Sequence, residues 1–109
     1  MQDYTFEYSG DSYRIPKSKI FECLYAVGEI VPILSISSVF ESNDFMKAAK
    51  IFSVMFSYTG KEINPLDVTK HYLHEKGGAV EIFTAINGAL VLLNPPETYH
   101  PVESEEAGK

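Results

Sequence analysis

The hydrophobic period of this chain changes once, at Pro16, and that change constrains the fold more than any other feature. Before it, Tyr4, Phe6 and Tyr8 alternate with Thr5 and Glu7. Successive side chains of a strand point to opposite faces, so the aromatic residues fall on one side of an extended segment. Ser9-Gly10-Asp11 supplies turn residues, and Tyr13 and Ile15 resume the alternation until the proline stops it. The expectation is a β-hairpin. Two strands alone are marginal in water, so the aromatic face must lie against helices or pair with another chain.

From Ser18 the period is helical. Ile20, Cys23, Leu24, Val27, Ile30, Val31 and Leu34 form one stripe, and Pro32 is predicted to kink or end the helix. Phe21 and Tyr25 lie off this stripe, one turn apart, with Gly28 following on the same side. Two readings are open for them. The hairpin covers them, or they form a surface for a partner, since aromatic residues are enriched in interface cores. "SISSVFESNDF" reads as a polar connector, in which Ser38 and Glu41 have capping-box spacing and Ser42 or Asn43 offers another cap.

The next helix is predicted from about Asp44 to Tyr58, with Phe45, Ala48, Ala49, Phe52, Met55 and Phe56 on its core face. Gly60 is expected to end it. A short third helix starts at Asn64-Pro65, where Asn64 caps, Pro65 suits the first position and Asp67 favours the first turn, and it closes at Gly77-Gly78. A fourth runs from Ala79, with Ile82, Phe83, Ile86, Ala89, Leu90 and Leu93 on one side, Val91 and Leu92 projecting away, and Asn94-Pro95-Pro96 as terminator. The fold class is therefore α+β, mainly α. An N-terminal β-hairpin precedes about four helices in a small bundle spanning residues 1–96, and residues 97–109 form a flexible acidic tail.

A chain of 109 residues holds one domain with a single core, and seven Phe with seven Tyr supply the material for it. Fifteen acidic against nine basic residues, a net charge of −6, argue against nucleic acid, which requires a basic face to displace counterions. The same balance gives no electrostatic reason to bind an anionic membrane. The most apolar stretch, Ala79 to Leu93, is broken by Glu81, Thr84 and Asn87 and is too short to span a bilayer. "MQDYTFEYSG" lacks the basic start and apolar core of a signal peptide, and the lone Cys23 forms no internal disulfide, so a reducing cytoplasm is expected.

The one stretch that suggests chemistry is "HYLHEKGG", residues 71 to 78. On a helix His71 and His74 sit about 60° apart, close enough in direction to touch one ion. Zinc hydrolase helices use H-E-x-x-H or H-x-x-E-H, and "HYLHE" follows neither order. A third or fourth ligand would have to come from Cys23, on a core stripe, or from His100, in the tail. The stretch reads instead as a helix end, with His71 paired to Glu75 one turn on and cationic side chains at the negative end of the helix dipole. Cys23, beside Leu24 and Val27, reads as a small core hydrophobe, and there is no G-x-S-x-G elbow to expose a serine. No catalytic residue, metal or cofactor is expected. A binding protein is favoured over an enzyme. A small metal-dependent hydrolase using His71 and His74 is the lesser alternative.

The order of elements carries one resemblance. An aromatic hairpin ending in Tyr-x-Ile-Pro, "FEYSGDSYRIP", leads into an amphipathic helix, further helices and an acidic tail. Over roughly residues 4 to 93 this resembles the small tail assembly chaperones of long-tailed bacteriophages and prophages. The resemblance implies a protein of the host cytoplasm that is absent from the finished virion. It implies binding to the tape measure protein, recruitment of tail tube protein, and self-association into homo-oligomers. Phe21, Tyr25, Val91 and Leu92 are the candidate interaction residues. Another small acidic helical adaptor or regulator of phage or bacterial origin is the alternative within the binding class.

Overall fold

The computed structural model describes residues 2–92. An antiparallel hairpin, β1 (Tyr4–Tyr8) and β2 (Asp11–Ile15), precedes five helices: α1 (Ile20–Ile30), α2 (Ile36–Glu41), α3 (Phe45–Ser57), α4 (Pro65–His74) and α5 (Gly78–Val91). The fold is α+β and mainly α. In the hairpin Tyr4 faces Ile15, Phe6 faces Tyr13 and Tyr8 faces Asp11, so the loop is Ser9-Gly10 alone and Asp11 already belongs to β2. Both loop residues have positive φ, 53° and 90°. That is the left-handed pair of a type I′ turn, whose twist matches the strands it joins. Asp3 ties the hairpin's open end to the next turn by accepting from the backbone N–H of Lys17 at 2.8 Å.

The aromatic face of the hairpin lies on α3 and α5. Phe6 meets the ring of Phe52 edge-on at 5.8 Å, Tyr8 lies 4.9 Å from Phe52, and Tyr13 packs 4.6 Å from Phe56. The Tyr4 hydroxyl donates to the carbonyl of Ala85 in α5 at 2.6 Å. α3 is the centre of the molecule and packs against α1, α2, α4 and α5. Ala48, Ala49, Ile51, Phe52, Met55 and Phe56 are all buried along it. Small residues on its first turns let neighbouring helices approach, and each large one stabilises the fold by about 2 kcal/mol through area removed from water.

Several local expectations hold in detail. Asn64 caps α4 by accepting from Leu66 N at 2.9 Å, with Pro65 at the first position. Gly60 adopts positive φ, 91°, just past α3. Others are corrected. The connector contains a helix, α2, which buries Ile36 and Val39 after a 3₁₀ turn at Ile33–Ser35. Among the described residues the helices therefore number five, in keeping with the expected bundle of about four. Ile36, Val39 and Phe40 within a six-residue segment are too short a run for a periodicity to stand out among serines. Asp44, not Ser38, Ser42 or Asn43, caps α3, accepting from Lys47 N at 3.2 Å. Asn43 turns left-handed, and its Oδ1 accepts from the hydroxyl of Tyr72 at 2.9 Å.

Leu34 also leaves the stripe on which its spacing placed it. α1 stops at Ile30, and the chain bends by 66° before the next helical segment. Past that bend the helical phase restarts, and Leu34 is 96% exposed. α5 begins at Gly78, and Gly78, Ile82, Ala85, Ile86 and Ala89 are its buried residues, with Phe83 and Leu90 half-buried. Leu93, the Asn94-Pro95-Pro96 terminator and the acidic tail lie outside the described residues. Among the described residues no single helix is long and apolar enough to cross a membrane. The first two helical segments pass that length only as a bent pair, and their apolar residues Ile20, Leu24, Val27, Ile36 and Val39 are buried in the core.

Candidate functional site

The end of α4 is held by long-range contacts. His71 Nε2 donates to Glu81 Oε1 of α5 at 2.6 Å, and the ring of Tyr8 lies 4.5 Å from the imidazole. Ser9 N also donates to Glu81 Oε1, at 3.3 Å. The partner of His71 is therefore Glu81 and not Glu75, which is exposed at the C-cap. Gly78 is the reason. A Cβ at this position would overlap the carbonyl oxygen of His71, so only glycine lets the start of α5 close onto the end of α4. Once the helices meet, Glu81 stands opposite the imidazole. Burial raises the Tyr8 hydroxyl to about 12, with the negative charges of Glu81 and Asp67 adding to the effect.

This cluster joins hairpin, α4 and α5, and its geometry is that of a structural clasp. His74 points to solvent in the last turn of α4. Among the described residues no group of three His, Cys, Asp or Glu side chains is placed to hold a metal ion. His100 lies outside the described residues. Cys23 is 1% exposed, and burial lifts its thiol to about 12, so the nucleophilic thiolate is suppressed at neutral pH.

Exposed large apolar side chains occur on several elements, and two groups of them line grooves. Phe21 and Tyr25 are 67% and 74% exposed on α1. The hairpin does not cover them, because its aromatic face is spent on Phe52 and Phe56 of α3 and on α5. With Glu22, Ala26, Glu29 and Tyr58 they line a shallow groove of about 490 Å³. Tyr58 arrives from the C-cap of α3, a contribution that the helical period of α1 alone does not signal. A second groove, of about 370 Å³, separates the start of α2 from the end of α5. Ile33, Leu34, Ile36, Phe83, Leu90 and Val91 line it.

Val91 stands 54% exposed at that groove, as its phase predicts. Leu92 does not share its environment. It is half-buried against the core, because the last turn of α5 tightens at the C-cap, where Leu92 N bonds to Ala89 O at 3.1 Å. The candidate pair is thus split into one surface residue and one packing residue. Leu34 is the large apolar residue that sequence reasoning assigned to the core and the structure places on this surface. In comparisons with known proteins the chain matches no family model, no curated protein and no solved structure.

Proposed function

We propose that this protein is a binding protein and not an enzyme: an assembly chaperone of the kind that serves long-tailed phages, acting in the host cytoplasm on the tape measure protein. The observation that carries the reading is the bare aromatic pair on α1. A small domain that uses Tyr4, Phe6, Tyr8 and Tyr13 to cover its own helices leaves Phe21 and Tyr25 uncovered on the helix beside them. The Leu34–Val91 groove adds a second apolar surface. Surface of this kind suits a soluble carrier of helices that would otherwise aggregate, and helix-in-groove contact is a standard way to use it. A net charge of −6 keeps such a protein soluble. The order of elements, from "FEYSGDSYRIP" into the helices, supports the phage setting.

The test is co-expression with the tape measure protein of the phage or prophage that this reading implies. The soluble yield of that protein should rise, and the two should purify together. A tape measure protein whose solubility is unchanged, with no complex on size exclusion, would reject this function in favour of another helical adaptor.

A further inference from the structure

The groove on α1 has a charge character that the other apolar surface lacks. Three rings line the α1 groove, Phe21 and Tyr25 one helical turn apart and Tyr58 from the neighbouring helix end, with the small Ala26 beside them. Glu22 and Glu29 complete the lining, and no basic side chain does. Lys19 reaches Glu22 at 3.9 Å, but both side chains are more than half exposed, and such pairs yield easily to a better-placed cation. The Leu34–Val91 groove has no charged residue in its lining.

Aromatic faces carry negative electrostatic potential and attract ammonium and guanidinium groups, and carboxylates beside them add to the attraction. We propose that the α1 groove receives a cationic amphipathic helix, whose arginine or lysine side chains stack on Phe21, Tyr25 and Tyr58 while pairing with Glu22 and Glu29. The spacing fits. Phe21 and Tyr25 stand about 6 Å apart along α1, the separation of side chains at i and i+4 on a facing helix. A groove of about 490 Å³ takes a few side chains, not a whole helix, so the partner lies across it and inserts its basic residues. This deepens the proposed function, rests on the reading of α1 as the client-binding face, and assigns the client segment a basic flank beside its apolar stripe.

The test uses two labelled synthetic helices of about 18 residues, or five turns, each with a leucine stripe. One carries arginine at the flanking positions and the other carries neutral citrulline, and both are titrated into the intact protein by fluorescence anisotropy. The arginine peptide should bind about tenfold more tightly. The E22Q/E29Q double variant should remove most of that difference, and Tyr25→Ser should weaken the arginine peptide more than the citrulline one. All these positions are exposed, so unchanged thermal melts would show the variants folded. Equal affinity of the two peptides, or a preference unaffected by E22Q/E29Q and Tyr25→Ser, would overturn the inference. If neither peptide binds while the tape measure protein still co-purifies, the α1 inference fails and the chaperone function stands. If the peptides behave as expected and the tape measure protein gains nothing, the groove's chemistry stands and the phage function fails.

Discussion

Replacing Gly78 by alanine tests the junction on which the His71 cluster depends. A methyl group there would overlap the carbonyl oxygen of His71 and lie 2.9 Å from its carbonyl carbon and 3.2 Å from its ring Cδ2. The obstacle is backbone, so no rotamer change relieves it, and the ends of α4 and α5 must separate. Overpacking of this kind costs about 1–3 kcal/mol. Parting the helices also weakens the His71–Glu81 pair, a charge-assisted hydrogen bond with a net contribution of about 1.5 kcal/mol. Alanine's better helix propensity returns at most about 1 kcal/mol. The net expectation is a loss of about 2–3 kcal/mol, which for a domain of this size lowers the melting temperature by roughly 8–20 °C.

Far-UV circular dichroism melts measure the loss, and two other glycines supply the controls. Gly77 has positive φ, 75°, but open space around it, so Gly77→Ala should lose only the left-handed strain of about 1 kcal/mol. At Gly88 a methyl group would meet the hydroxyl end of Tyr4, a side chain free to swing away if it gives up its bond to Ala85, worth about 1 kcal/mol. Gly78→Ala should therefore be the most damaging of the three. A Gly78→Ala protein that melts at or above the parent temperature would refute the close approach of α4 and α5.

Val91→Asp should change stability by no more than about 0.5 kcal/mol, while Leu92→Asp should lose about 1–3 kcal/mol by placing a charge against the core, as read from urea midpoints. Replacing Phe21 and Tyr25 together by serine should leave those midpoints nearly unchanged and reduce self-association in light scattering; a parent protein that is strictly monomeric at high concentration would remove the basis for this. Tyr8 is raised to about 12, and burial raises Tyr4 and Tyr72 in the same direction. The unfolded chain releases these protons near pH 10, so their stability contribution is complete below about pH 10 and is lost as the pH rises toward 12. Melts repeated across that range should show a steep fall accompanied by phenolate absorbance, and a flat profile would contradict the burial.

What was legible in the sequence was what local spacing determines. The alternation of Tyr4, Phe6 and Tyr8 and the turn residues Ser9-Gly10-Asp11 specify a hairpin within a dozen residues, though Asp11 belongs to β2, and Asn64-Pro65 fixes a helix start through one side-chain hydrogen bond. The same logic failed where phase is interrupted. Pro32 ends α1, and counting onward from Ile20 in steps of 3.6 then assigns Leu34 to a core it never enters. α2 is too short to give a periodic signal, since its six residues hold only Ile36, Val39 and Phe40 as apolar positions.

The candidate surface shows a different limit. Its residues were readable one by one, since Phe21 and Tyr25 lie off the buried stripe of Ile20, Cys23, Leu24 and Val27. Whether they are exposed depends on where the hairpin docks, and that is set by contacts about forty residues away, at Phe52 and Phe56. The hairpin is two strands wide and covers one side of the bundle. Phe6, Tyr8 and Tyr13 find aromatic partners on α3, and Tyr4 finds the Ala85 carbonyl on α5 beside Gly88, where the absence of a side chain admits its hydroxyl. With the hairpin committed to that side, α1 is left without a cover. The same glycine-dependent closeness that brings Glu81 to His71 thus belongs to the packing that leaves Phe21 and Tyr25 in water: His71, conspicuous in sequence, locks the side the hairpin occupies, and the quieter aromatic pair remains on the helix it leaves free.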